Sequence, residues 1–109
     1  MRRGSTYDVT VKVGMDVTSA DVLHVAFRST KRTVLVKEYS PEGPSEVEME
    51  ESDGVTTIST VLSQTDTLKF KEGQPVEGQI RCRIGDSVYA TPIFTVAQTV
   101  DPIIEDAVI

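Results

Sequence analysis

Every second residue of YDVTVKV, residues 7–13, is apolar: Tyr7, Val9, Val11 and Val13 alternate with Asp8, Thr10 and Lys12. A helix would spread such a set around its circumference, whereas an extended strand delivers it to one face, so the pattern reads as a strand with one buried and one wetted side. The same alternation returns in short runs bounded by turn residues, and no long stretch carries apolar residues three and four apart. The chain is therefore expected to be all-β.

The run DVLHVAFRS places Leu23, Val25 and Phe27 on one face and Val22, His24 and Ala26 on the other. Both faces are fairly apolar, which suits a central strand. It should form a hairpin with RTVLVKEY, where Val34, Leu35 and Val36 again imply a largely covered surface. Pro41, Gly43 and Pro44 then mark a loop. In EVEMEESDGVTTISTVL, Val47 and Met49 alternate with Glu46, Glu48 and Glu50 before Asp53-Gly54 turns the chain into a second hairpin. The outward carboxylates would deter edge-to-edge pairing.

SQTDTLKF interrupts the alternation. Ser63 can cap one helical turn, with Asp66 three residues later completing a capping-box arrangement, and Leu68 and Phe70 would anchor that turn on the core. Such a turn suits a crossing from one sheet to another. Beyond it Val76, Ile80, Cys82 and Ile84 should face inward and Glu77, Gln79, Arg81 and Arg83 outward. Gly85-Asp86 forms a two-residue hairpin loop. On the return run Val88, Ala90, Phe94 and Val96 are expected to point inward, with Pro92 imposing an edge or a bulge.

About seven short strands with frequent turns indicate an immunoglobulin-like β-sandwich of antiparallel strands with one short helical turn near residues 63–68, a small barrel being the alternative. Trp is absent and Cys82 is the sole cysteine, so the disulfide and Trp of antibody domains are missing. A length of 109 residues suits a single domain, residues 1–109, with 98–109 as a C-terminal extension. In that extension Ile103, Ile104, Val108 and Ile109 are candidates for docking on a neighbouring subunit, a frayed terminus being the alternative.

The net charge of −6 argues against nucleic acid, which needs clustered Lys and Arg, and against anionic membrane surfaces. A lone Cys fits a reducing compartment. No run approaches the roughly 18 apolar residues of a membrane span, and MRRGSTYDV has basic residues without the apolar core of a signal peptide. His24 is the only histidine, lies mid-strand, and reads as a partly buried structural imidazole. Cys82, in phase with Ile80 and Ile84, reads as a small core hydrophobe. The carboxylates Glu46, Glu48, Glu50, Glu51 and Asp53 could hold Ca²⁺, but their spacing is not that of an EF-hand, and a solvated acidic edge is the simpler reading. Arg81 and Arg83 form an outward polar row, able either to meet an acidic partner or to pair with glutamates across the sheet. No catalytic residue, metal site or cofactor is expected.

Three segments together, MRRGSTYDVTV, TVLSQTDTLKFKEGQPVEGQIRCRI and SVYATPIFTVAQTVDPIIEDAVI, resemble a family of small proteins encoded by bacteriophages and prophages. The features that carry the resemblance are the MRRG start, the SQTDTLKF turn and the alternation of Val76, Glu77, Gln79 and Arg81. The chain departs from the family wording at Gly78, where a bulkier residue is usual. The resemblance implies a virion structural or assembly role in tail or head, present in the bacterial cytoplasm during assembly and then in the virion. Other phage structural proteins, or further copies of the chain, are the implied partners. The alternative function is a ligand-binding sandwich taking a cell-surface carbohydrate, or Ca²⁺ at the acidic hairpin.

Overall fold

In the computed structural model, which describes residues 1–109, the alternating runs become strands β1 (Tyr7–Val13), β2 (Val22–Ser29), β3 (Arg32–Tyr39), β4 (Val47–Ser52) and β5 (Val55–Leu62), a helical turn α1 (Gln64–Thr67), and strands β6 (Val76–Ile84), β7 (Ser87–Ala90) and β8 (Phe94–Ala97). They form a three-stranded sheet in the order β1-β5-β4 and a five-stranded sheet in the order β3-β2-β6-β7, with β8 also paired to β6. This is immunoglobulin-like topology. In the usual lettering β1, β5 and β4 occupy the places of B, E and D, while β3, β2, β6 and β7 with β8 occupy those of C′, C, F and G. The first strand, A, is reduced to one parallel bridge between Arg2 and Asp101. No helix is long and apolar enough to cross a membrane.

The core lies between the sheets. Leu23, Val25 and Phe27 of β2 and Val76, Ile80 and Cys82 of β6 face Val9, Val47, Ile58 and Leu62 of the smaller sheet, with Phe70, Val17 and Val100 closing the ends. Fully burying a Leu or Phe contributes about 1.5–3 kcal/mol, so these positions dominate stability. Two buried threonines share the inner face of β5 with Ile58 and Leu62 because each serves a loop that has no ladder partner. Thr56 Oγ1 donates to the Met15 carbonyl at 2.8 Å and accepts from the Val17 N–H at 3.0 Å. Thr60 Oγ1 donates to the Glu46 carbonyl at 2.7 Å.

The return strand differs from expectation. Val88 and Ala90 do not point inward, since the two-residue loop pairs Ile84 with Ser87, and hence Cys82 with Tyr89 and Arg83 with Val88. Directly paired residues share a face, so Tyr89 inherits the inner side of Cys82 and Val88 the outer side of Arg83. Pro92 then ends the strand, as its missing N–H requires. Thr91 spans the break: its N–H donates to the Ile80 carbonyl at 2.9 Å and its hydroxyl accepts from the Ile80 N–H at 3.1 Å. Pairing resumes with Phe94 opposite Gly78, which resets the phase and gives eight strands instead of seven.

Gly78 has a packing reason. A Cβ there would lie 2.7 Å from Cε2 and 2.9 Å from Cζ of Phe94, and 3.0 Å from Cγ2 of Val96. The Phe94 ring occupies the space that a bulkier residue would fill. Replacing Gly78 with Val should therefore lower stability by about 1–3 kcal/mol, read as a shift in the urea midpoint, and the loss should be smaller in a Phe94→Ala background, where the ring is gone.

Candidate interaction surfaces

The polar chemistry of the chain converges first on α1. Ser63 caps it as the sequence implies: its hydroxyl accepts from the Asp66 N–H at 3.1 Å, and Asp66 Oδ2 accepts from the Ser63 N–H at 2.9 Å. The same carboxylate receives Lys37 Nζ at 2.7 Å, both side chains being nearly buried. Lys37 pairs with Val25 across the ladder and so points inward from the edge strand β3, reaching across to the turn that follows β5. Burial opposes the charge on Asp66, but the Lys37 hydrogen bond, the Ser63 contacts and the Lys37 charge outweigh it and hold the carboxyl below its usual range.

The N-terminal residues clasp the other side of this turn. Arg3 donates through Nε to the Phe70 carbonyl and through a terminal nitrogen to that of Leu68, both at 2.9 Å. The Gly4 N–H reaches Thr67 Oγ1 at 2.9 Å, which in turn donates to the Ser5 carbonyl at 2.9 Å. Arg3 N–H to Asp101 O and Asp101 N–H to Met1 O close the parallel bridge at 3.1 and 2.7 Å. Thus MRRG and SQTDTLKF, which carry the resemblance, are in contact, and the side chains that join them, Arg3 and Thr67, bond to backbone groups.

Arg81 and Arg83 lie exposed on the outer face of the larger sheet, beside Val22, His24 and Val88, around an open hollow of about 170 Å³. No carboxylate lies within ion-pair distance of either guanidinium, whereas Arg28 meets Glu77 at 3.0 Å on the same face. The salt-bridge ladder therefore forms at Arg28 only. His24 is partly buried, as its mid-strand place implied, and lies 3.6 Å from Glu38. Cys82 is buried, which pushes its thiol pKa up. Because Cys82 pairs with Leu23, it and His24 occupy opposite faces and form no Cys-His pair. The glutamates of β4 lie along an exposed edge, and no three His, Cys, Asp or Glu side chains converge as a metal site would require.

The C-terminal segment divides in two. Val100 is in the core at 1 % exposure, and Arg2 donates to the Pro102 carbonyl at 2.7 Å, so residues 98–102 are tied into the sandwich. Beyond them, Ile103 is half buried, its Cδ1 2.7 Å from where a Gly4 Cβ would stand, and the positive φ of Gly4, 77°, suits glycine. Ile104 and Ile109 are fully open to water and Val108 is mostly so. The segment returns to α1, where Gln64 Nε2 donates to the Ile109 carbonyl at 2.8 Å and Gln64 Oε1 accepts from the Ile109 N–H at 2.9 Å. The sequence matches no protein-family model and no curated protein.

Two predictions follow from these charges. Asp66 is held below its ordinary value of 3.8, so near that pH the unfolded chain binds more protons than the folded one. The stability it supplies is full above the ordinary value and is lost as pH falls through the folded one. Asp66→Ala should cost about 2 kcal/mol at neutral pH by leaving the nearly buried Lys37 with only its longer contact to Glu46 at 3.7 Å, and should flatten the decline in stability on acidification, as measured by denaturant titration across pH. On the outer face, Arg81→Ala and Arg83→Ala should each change stability by less than about 0.5 kcal/mol, and Arg28→Ala by more than either.

Proposed function

We propose that this protein is a non-catalytic assembly module that works by contacting other proteins, in the phage or prophage virion setting that its resemblance implies. The observation that carries this reading is the segment beyond Ile103, which returns to Gln64 yet leaves its apolar side chains in water. Ile104, Val108 and Ile109 are exposed to 108, 59 and 96 % on a domain whose other apolar residues mostly enter one core. Three large apolar side chains left in water within one short segment offer apolar area that a protein contact would cover. The disposition of the polar groups agrees: the best hydrogen-bonded ones hold the fold, and His24 and Cys82 are separated by the sheet.

Removing the segment gives up the Ile103 packing against Gly4 and the two Gln64 bonds to Ile109, but leaves the core and the Arg3 and Thr67 bonds in place. A chain ending at Pro102 keeps Val100 and Asp101 and should fold, with the same thermal midpoint within a few degrees. Expressed with the structural proteins encoded beside its gene, the intact chain should be retained on at least one of them, and the shortened chain should bind about ten-fold more weakly or less well still. Retention that is unchanged by the truncation, or an intact chain that binds none of those proteins, would contradict the reading.

A further inference from the structure

We propose that the protein pairs with a second copy of itself along the open edge of β1, antiparallel, with Thr10 opposite Thr10. This rests on the assembly reading and deepens it by naming the partner. Isolated sheet edges invite pairing unless something blunts them, and three of the four edges here are blunted. On β4, Glu48 and Glu50 would oppose like charges in a second copy. On β3, Lys37 points inward, and the strand carries an irregularity opposite Phe27 and Arg28. The edge formed by β7 and β8 is broken at Pro92.

β1 has no proline, no irregularity and no inward charge, and its two outward charges, Asp8 and Lys12, are of opposite sign. It runs for seven residues with unbroken register against β5. None of its backbone groups bonds to anything outside that ladder, so the peptide groups pointing away from β5 have no protein partner. The side of the sandwich it borders is also the less closed one. Opposite, β3 and β4 are joined by Glu46 N–H to Glu38 O at 3.3 Å, Glu38 N–H to Glu46 Oε1 at 3.2 Å, and Lys37 to Glu46 at 3.7 Å. Between β1 and β8 a single bond crosses, Tyr7 Oη to the Val96 carbonyl at 3.2 Å, over a groove of about 390 Å³. That groove lies where the first strand of an immunoglobulin-like sandwich would run.

The charges on β1 choose the occupant. Turned antiparallel about Thr10, the strand is complementary to itself: Asp8 faces Lys12 of the partner subunit, Lys12 faces the partner's Asp8, and on the inner side Val9 faces the partner's Val11. Opposite charges, paired threonines and paired β-branched residues are the cross-strand combinations that stabilise an antiparallel ladder. A two-fold axis through the Thr10 pair makes the contact isologous, so it closes at a dimer.

Sedimentation velocity over a wide concentration range tests this with four chains: the natural sequence, Lys12→Asp, Asp8→Lys, and the exchange Asp8→Lys with Lys12→Asp. The natural chain should dimerise. Each single change sets like charges against each other at both symmetric contacts and should raise the dissociation constant about ten-fold or more. The two singles move the net charge in opposite directions, so a shared effect is not one of overall charge. The exchanged chain has the natural net charge and should recover the dimer. All these side chains are exposed, and matching thermal melts check that each variant is folded. Removing residues 103–109 should leave the dimer intact, which separates this contact from the tail. A monomeric natural chain, single variants that dimerise normally, or an exchange that fails to recover pairing would each overturn the proposal; the tail experiment would still decide the assembly reading.

Discussion

The Asp66 carboxylate joins parts of the chain that nothing else joins so directly. It completes the cap of α1, takes Lys37 from the edge of the larger sheet, and fixes the turn onto which the N-terminal clasp docks through Arg3 and Thr67. Core burial supplies most of the free energy, but it does not choose how the crossover sits. A buried charge with a defined set of partners does, because any other arrangement would strand it away from water. Exposed pairs such as His24 with Glu38 are worth less than about 1 kcal/mol and could be lost without consequence for the fold.

Much of this architecture was legible because strands and tight turns are local. Period-two alternation placed the strands, Asp53-Gly54 and Gly85-Asp86 placed two hairpins, and the spacing of Ser63 and Asp66 gave the cap. The phase of β7 was misread because apolar identity was followed instead of the turn: Val88 and Ala90 look like core residues, yet a two-residue loop dictates that Tyr89 shares the face of Cys82. β5 gave an ambiguous signal, since Thr56 and Thr60 occupy inward positions that only their loop partners explain.

Long-range contacts were not legible. Nothing near Lys37 in the sequence indicates that it points inward to meet a residue almost thirty positions away, and nothing in MRRG indicates that Arg3 will reach the carbonyls of Leu68 and Phe70. Among the candidate contact residues, the outward direction of Arg81 and Arg83 followed from alternation. The exposure of Ile104, Val108 and Ile109 followed from their place beyond Pro102. Ile103 does not share that exposure, because the left-handed turn at Gly4 brings backbone without a side chain against it.

Polar groups engaged in the clasp and the crossover leave two features without an internal partner, the apolar side chains of Ile104, Val108 and Ile109 and the outer edge of β1. An assembly part needs such features, and a self-contained domain would be expected to cover them. The most direct measurement is amide hydrogen exchange at low and high protein concentration. Pairing through β1 predicts that the β1 amides directed away from β5 gain protection as concentration rises, while those at the broken edge of β7 exchange equally fast at both. Exchange along β1 that is independent of concentration would contradict it.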